Sequence, residues 1–327
     1  MSRKKSKAIL IFAGAVLLAI LTGAVFYLRQ KASQPIRMVC IPKVIDEKND
    51  FWMSLLEGTR MAADEYGVEL TIIAGKTEND DQGQIEKIQE AIEMKPDVIL
   101  LTPTSYTEIT DAAKEIKEAG IQLVLVDSML DEHVEDALVC TDNFEAGMKM
   151  GEFLRSILET EPVIGIVAHV EGSSTAMERV EGFRAGLGEY ENCIVDTVYG
   201  NSDYDKSSEV TRQMLEEHPD INVIVGMNEY SAVGAARAVK DAGLEEQIQM
   251  IGFDNSLEEI QYLEENLFQG IVIQKPFNMG YLGVEKAVEL LRGEKVSKTV
   301  DSGSELITTE NMYEMENQKL LFPFLDN

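Results

Sequence analysis

The chain repeats one pattern of hydrophobic and polar residues: a short β-branched run, a polar turn, and then apolar residues at helical spacing. The clearest copy begins with the apolar run at 221–225, continues with Ala and Val at intervals of three and four over 232–242, and reaches Gly243. A second apolar run at 248–253 ends at Asp254. Short apolar runs predict buried strands, and the three-and-four spacing predicts a helix that ends at Gly243. This stretch therefore predicts a strand–helix–strand unit.

A similar unit occurs more than a hundred residues earlier, at 97–128. Its first strand runs into a polar turn, its helix ends at Gly120, and its second strand ends at Asp127, as the later unit ends at Asp254. Ligands of parallel sheets bind at the carboxyl ends of the strands. The repetition predicts two lobes of like construction that hold one ligand between Asp127 and Asp254.

Strands and helices alternate along the rest of the chain from residue 37 onward. This alternation is typical of parallel sheets covered by helices on both faces. We therefore expect an α/β protein with two similar, doubly wound, parallel-sheet lobes.

The N-terminus carries an apolar segment of its own. Residues 8–28 are 21 residues without a charge, preceded by four basic residues and followed by two. That length spans a bilayer, and the charges predict a cytoplasmic N-terminus. A cleaved signal peptide is the alternative, but no small-x-small site follows the segment. We expect an uncleaved, single-pass anchor in the cell membrane and an extracellular or periplasmic ectodomain.

Composition excludes several classes of protein. The net charge is −29, and it falls to about −35 without the six basic residues around the apolar segment. Such a chain lacks the basic surface that binds nucleic acid. Three Cys and three His occur without paired spacing, so we expect neither a metal site nor a cofactor, and Cys40 and Cys140 lie in predicted strands.

Nine short motifs resemble, in the same order, those of sugar-binding proteins of the ribose-binding type. They are IPKVIDEKNDFWMSLLEG, LLTPTSYTE, VLVDS, CTDNFEAG, GSSTAMERVEGF, NSDYDKS, GMNEYSAVGA, IGFDNS and VIQKPFNMG. The resemblance covers residues 37–295. It implies the type I periplasmic binding protein fold, in which two lobes joined by a three-segment hinge close around a monosaccharide.

The resemblance also implies domain boundaries, with crossovers near Thr141, Gln274 and Gly303. Residues 1–35 would form the basic tip, the membrane anchor and a linker. The N-terminal lobe would comprise 36–141 with 275–303, and the C-terminal lobe 142–274 with 304–327.

Ten residues match binding positions of the family. The positions that match hydrogen-bonding residues are Asn49, Asp127, Arg179, Asn228, Asp254 and Gln274, and those that match aromatic walls are Phe51, Trp52, Tyr204 and Phe253. The chemistry fits a sugar, because carboxylates, amides and a guanidinium bond hydroxyls while aromatic rings cover C–H faces.

Each of these residues also has a structural explanation. The two Asp residues could cap the following helices, Arg179 could form a surface ion pair, Trp52 could belong to the core, and Tyr204 could pack between the lobes. Asn228 could be an ordinary turn residue, and Gln274 a hinge residue.

One position departs from the ribose pattern. Ser128 stands where that pattern has an Arg directly after the aspartate. The change removes a cation from the expected pocket and argues against ribose as the ligand.

Three functions share these features. The first is a membrane-tethered, non-enzymatic solute-binding protein with a monomeric ectodomain, which presents a monosaccharide to the permease of an ABC importer or reports it to a membrane sensor kinase. The second is a glycosidase that uses Asp127 and Asp254, but the catalytic motifs are absent. The third is a sugar-responsive repressor, which would need a DNA-binding segment where the apolar span lies.

Overall fold

The computed structural model describes residues 35–322. The predicted anchor at 8–28 and residues 323–327 lie outside this range. Among residues 35–322, the search for a helix with the length and apolar character of a membrane span finds none.

Two six-stranded sheets organise the chain. The strands of the first are β1 (Ile36–Ile41), β2 (Val68–Ile72), β3 (Val98–Leu101), β4 (Gln122–Val126), β5 (Ala137–Cys140) and β11 (Thr299–Asp301), in the order β11-β5-β4-β3-β1-β2. Those of the second are β6 (Ile164–Ala168), β7 (Ile194–Tyr199), β8 (Val223–Gly226), β9 (Gln249–Phe253), β10 (Phe268–Gln274) and β12 (Ser304–Ile307), in the order β12-β10-β9-β8-β6-β7.

Helices alternate with these strands. They are α1 (Asp50–Tyr66), α2 (Asp81–Met94), α3 (Thr110–Glu118), α4 (Asn143–Ile157), α5 (Ser174–Leu187), α6 (Tyr204–Glu217), α7 (Glu229–Ala242), α8 (Leu257–Glu264), α9 (Pro276–Leu291) and α10 (Met315–Leu321), with a 3-10 turn at Gly188–Cys193. The prediction of two α/β lobes with mainly parallel sheets is confirmed. One edge strand differs: β12 pairs with β10 antiparallel, because it turns back into the second sheet directly after β11.

The chain passes between the two sheets three times, after β5, after β10 and between β11 and β12. Strands β3, β5, β6 and β8 are buried along their whole length, which explains why their sequences are continuous apolar runs.

In each lobe, one pair of helices approaches backbone to backbone at glycines. A Cβ atom on Gly58 of α1 would lie 2.0 Å from the carbonyl oxygen of Phe277 in α9. A Cβ atom on Gly147 of α4 would lie 2.2 Å from the carbonyl oxygen of Arg179 in α5. Only glycine fits at these contacts, and the second contact fixes the part of α5 that carries Arg179.

Candidate functional site

A cavity lies between the lobes, where strands of both sheets end. Most of its walls are polar, and several of the lining residues directly follow strands. The first lobe contributes Lys43, Asn49, Phe51, Trp52, Glu78 and Asp127, the second His169, Thr175, Arg179, Asn228, Tyr230 and Asp254, and Gln274 lies at the crossing after β10.

The structure brings eight of the ten predicted site residues to this cavity. They are Asn49, Phe51, Trp52, Asp127, Arg179, Asn228, Asp254 and Gln274. Tyr204 and Phe253 do not line it.

Asn49 and Asn228 each cap the start of a helix and also border the cavity. The side-chain oxygen of Asn49 accepts from the backbone N–H of Trp52, and that of Asn228 accepts from the backbone N–H of Ser231. These bonds cap α1 and α7. Because the amide oxygen is used in capping, the NH₂ group of each side chain supplies the donors for a ligand.

Asp127 forms a buried ion pair. Its Oδ2 atom lies 3.2 Å from Nζ of Lys43, and the two side chains are only 5% and 4% exposed. The Ser128 hydroxyl donates to the same carboxylate at 2.6 Å. The cavity therefore has a cation beside Asp127 in spite of Ser128: Lys43, which follows β1.

Asp254 contacts both the cavity and the start of α7. Its Oδ1 atom accepts from Nε2 of Gln274 at 2.7 Å, and its Oδ2 atom accepts from the backbone N–H of Glu229 at 3.0 Å. The capping alternative thus holds in part, although the helix is α7 and not the following helix α8, which Ser256 caps. Burial raises the pKa of Asp254, and the Arg179 guanidinium opposes this rise.

Arg179 is buried and not part of a surface ion pair. Its Nε atom donates to Oδ1 of Asn143 at 2.8 Å, and Nη1 donates to the carbonyl of Met227 at 2.9 Å. Its guanidinium lies 3.8 Å from the centre of the Phe253 ring. Phe253 is fully buried in the core of the second lobe. It packs against Arg179 and does not form the aromatic wall of the cavity that we expected.

The aromatic residues of the first lobe meet edge to face. The rings of Phe51 and Trp52 are 5.0 Å apart and perpendicular. Nε1 of Trp52 donates to Oε1 of Glu78, as a buried indole requires. Burial raises the pKa of Glu78, and the charge of Lys43 lowers it.

Tyr204 lies in an outer part of the cleft, where its hydroxyl bonds the Glu229 carboxylate. Its ring lies 4.7 Å from the ring of Tyr230 and is tilted by 51° against it, and Tyr230 lines the cavity instead. The difference follows from position: Tyr204 begins α6, whereas Tyr230 lies in the first turn of α7, beside the end of β8.

Five cavity residues were not predicted: Lys43, Glu78, His169, Thr175 and Tyr230. His169 directly follows β6, so the rule that sites lie at strand ends could have found it. Its Nε2 atom lies 2.8 Å from Oγ1 of Thr175, and burial, followed by the charges of Arg179 and Lys43, holds its pKa well below the usual value.

Two buried polar atoms of the cavity residues have no hydrogen-bond partner among residues 35–322. They are Nδ1 of His169 and Oε1 of Gln274. An unpaired buried polar atom is costly, typically about 1–3 kcal/mol. Both atoms therefore favour a ligand with hydroxyl groups.

The lobes are closed over the cavity by hydrogen bonds between them. The hydroxyl of Ser202 donates to Oε2 of Glu78 at 2.7 Å, and the hydroxyl of Tyr230 donates to Oδ2 of Asp46 at 2.7 Å. Each bond joins the second lobe to the first, so a ligand in this cavity would be enclosed.

Possible metal ligands come together away from this cavity. Asp196, Glu217 and His218 have donor atoms within 4.8 Å of one another, and none of them lines the cavity. The cavity's own Asp residues are accompanied by Lys43 and Arg179, so positive charge there comes from side chains.

Comparisons with known proteins agree with this architecture. The sequence profile of the periplasmic binding protein domain matches residues 42–295. The ribose import binding protein of Bacillus subtilis is 27% identical over 260 residues, which are 80% of this chain and 84% of that protein.

Solved structures are similar over most of their length. A sugar transporter from Clostridium phytofermentans is 46% identical, with a TM-score of 0.80 over 84% of this chain and all of the other. An ABC transporter solute-binding protein from Agrobacterium vitis, solved with bound D-fucose, is 27% identical, with a TM-score of 0.80 over 87% of this chain and 99% of that one.

Proposed function

Because the chain belongs to the periplasmic binding protein family, we propose that its two lobes close on a monosaccharide outside the cytoplasm and present it to an ABC importer. The observation that carries this proposal is the enclosed cavity with its strand-end carboxylates and its two unpaired buried acceptor or donor atoms. The names of the relatives, a ribose import binding protein and a solute-binding protein with bound D-fucose, support a sugar as the ligand.

The charges of the cavity favour an uncharged sugar. Two cations, Lys43 and Arg179, accompany two carboxylates, Asp127 and Asp254. Glu78 is a third carboxyl group of the cavity, and burial shifts it toward its neutral form by raising its pKa, as burial also favours the neutral form of His169 by lowering its pKa. An acidic or amino sugar would add an unbalanced charge to a buried site, which is costly.

We propose binding without catalysis. Asp127 is occupied by Lys43 and Ser128, and Asp254 by Gln274 and the N–H of Glu229. Carboxylates held in this way are suited to accept hydrogen bonds from hydroxyls, whereas a glycosidase needs one of the pair as an acid.

We further propose the arrangement of the whole chain. Residues 1–35 would supply a basic tip, an anchor and a linker, residues 36–141 with 275–303 the first lobe, and residues 142–274 with 304–327 the second. Tethering would keep the binding protein next to its importer at the membrane surface.

A screen of monosaccharides tests the ligand class. Residues 37–322 belong to one compact unit, and the protein from residue 37 onward should melt at a higher temperature with a sugar that binds only the folded state. The panel is D-ribose, D-allose, D-arabinose, D-fucose and D-galactose, followed by calorimetry. No heat and no melting shift with any monosaccharide at millimolar concentration would overturn the proposal. Binding without loss of uptake in a strain that lacks the protein would favour the sensor-kinase role instead.

A further inference from the structure

Glu229 joins the two lobes without lining the sugar cavity. It is the first residue of α7 in the second lobe, and it is 2% exposed. Its Oε2 atom accepts from the backbone N–H groups of Asp50 and Phe51, at 3.1 and 3.4 Å, in the first lobe. Phe51 lines the cavity, so Glu229 binds the backbone of a residue that forms part of the cavity wall.

The contact provides a hydrogen-bond acceptor for the first N–H groups of α1. The first N–H groups of a helix have no partner within the helix. The Asn49 side chain serves the N–H of Trp52 only, which leaves the N–H groups of Asp50 and Phe51. The carboxyl group of Glu229 offers these donors an acceptor oxygen in both its charged and its neutral form. Glu229 can supply it only when the lobes are together.

We propose that Glu229 is a positioning residue that fastens α1 to the second lobe, and so sets sugar affinity through closure without touching the sugar. The inference rests on the proposed function only in assuming that closure accompanies sugar binding.

The groups around Glu229 set its pKa, and they make the contact between the lobes dependent on pH. The groups that face it are the Tyr204 hydroxyl on α6, Asp50 on α1, Asp254 after β9 and Glu259 on α8. Burial raises the pKa of Glu229 to about 8, the hydrogen bonds from Tyr204 and Phe51 oppose this, and the charges of Asp254 and Asp50 add to the rise.

The sign of the pH effect follows. When the lobes separate, the carboxyl loses its contacts with the first lobe and gains access to water, so its pKa should fall toward the ordinary value of 4.5. The closed form then binds a proton that the open form releases between these values. Closure is therefore strengthened as pH falls from about 8 toward 4.5, by at most about tenfold per pH unit.

The test compares Glu229→Gln and Glu229→Ala with the parent in the full chain. Glu245→Gln is the matched control, because Glu245 is exposed in the same lobe. Spin labels on two exposed residues, Glu93 in the first lobe and Glu216 in the second, report the interlobe distance without sugar from pH 5.5 to 9. Melting curves establish that each variant is folded.

The parent and the control should show a closed fraction that rises as pH falls. Glu229→Gln, which keeps an acceptor and cannot titrate, should close with a weaker dependence on pH. Glu229→Ala should close about tenfold less than Glu229→Gln at every pH, since it loses two hydrogen bonds. If Glu229→Ala does not fold, the pH profile of Glu229→Gln decides alone.

A Glu229→Gln profile that coincides with the parent's profile overturns the proposal. So does an Ala variant that closes as well as the parent. These distances are measured without ligand, so their result does not depend on the sugar screen. Failure of the screen leaves the role of Glu229 in closure intact, and failure of the distance test leaves the proposed sugar binding intact.

Discussion

Asp127 and Asp254 end strands in different lobes with the same unusual backbone, at φ values of 68° and 85°. Positive φ is uncommon for a residue with a side chain, although Asp tolerates it better than most. Both residues border the one cavity. The two lobes thus repeat a strained strand end at the edge of the same cavity, as expected when strain is retained for function.

Replacing either aspartate should weaken sugar binding. Loss of a charged hydrogen-bond partner costs about 1.5–3 kcal/mol, which is roughly 10- to 100-fold in affinity. Asp254→Ala should also lower the melting temperature, because it removes the acceptor of the Glu229 N–H. Calorimetry beside melting curves checks both effects. Affinity within about threefold of the parent for both variants would contradict a two-lobe site.

Lys43 and Asp127 should be energetically coupled. Lys43→Met leaves the Asp127 carboxylate buried without its counter-charge, a loss that typically costs about 3–5 kcal/mol of stability. The double variant with Asp127→Leu should recover part of this cost, with a coupling of about 0.5–3 kcal/mol. Denaturant unfolding of the four proteins measures the coupling. Lys48→Met, at an exposed position, serves as the control, and additive losses would argue against the pair.

Phe253 should affect stability more than its absence from the cavity wall suggests. Phe253→Ala removes a fully buried ring of the second lobe's core and should cost about 3–5 kcal/mol. Phe253→Leu, which fills more of the space, should fold but bind sugar less well, since Arg179 loses the ring on which it lies. Unchanged affinity in the folded Leu variant would show that the stacking is dispensable.

His169 should make the protein less stable in acid. Its pKa is lowered by burial in the folded state, while the unfolded chain protonates it near its ordinary value of 6.5. Its contribution is therefore present above pH 6.5 and is lost as pH falls below it, at no more than about 1.4 kcal/mol per pH unit.

Melting curves between pH 8 and pH 5 measure this loss. The stability gap between the parent and His169→Gln should narrow as pH falls. His133→Gln is the control, because the side chain of His133 is 86% exposed. A constant gap over the whole range would mean that His169 takes up its proton without penalty.

The proposed anchor has a direct consequence for fractionation. An uncleaved segment at 8–28 keeps the protein in the membrane fraction with its Met-Ser-Arg N-terminus or an N-terminal tag. Alkaline washing, which removes peripheral proteins, should not release it. A soluble form whose N-terminus begins near residue 30 would contradict the anchor and favour a cleaved signal peptide.

The sequence predicted what periodicity and strand ends determine. Apolar runs identified the strands, and the rule that ligands lie at their carboxyl ends placed Asp127 and Asp254 together. Lys43 was not predicted, because its role depends on an ion pair with Asp127 from another part of the sheet, and no local sequence pattern indicates such a pair. Tyr204 and Tyr230 could not be distinguished, since only the packing of α6 against α7 decides which ring borders the cavity.

Because the chain passes between the two sheets three times, the first lobe cannot be completed early in synthesis. Helix α9 and strand β11 complete the first lobe, although every strand of the second sheet except β12 precedes them in the chain. While a ribosome makes the chain, α1 must wait for α9, and β5 must wait for its neighbour β11. Contacts that close such long loops form slowly. The connections that join the two lobes therefore postpone completion of the first lobe until residue 301 has been made.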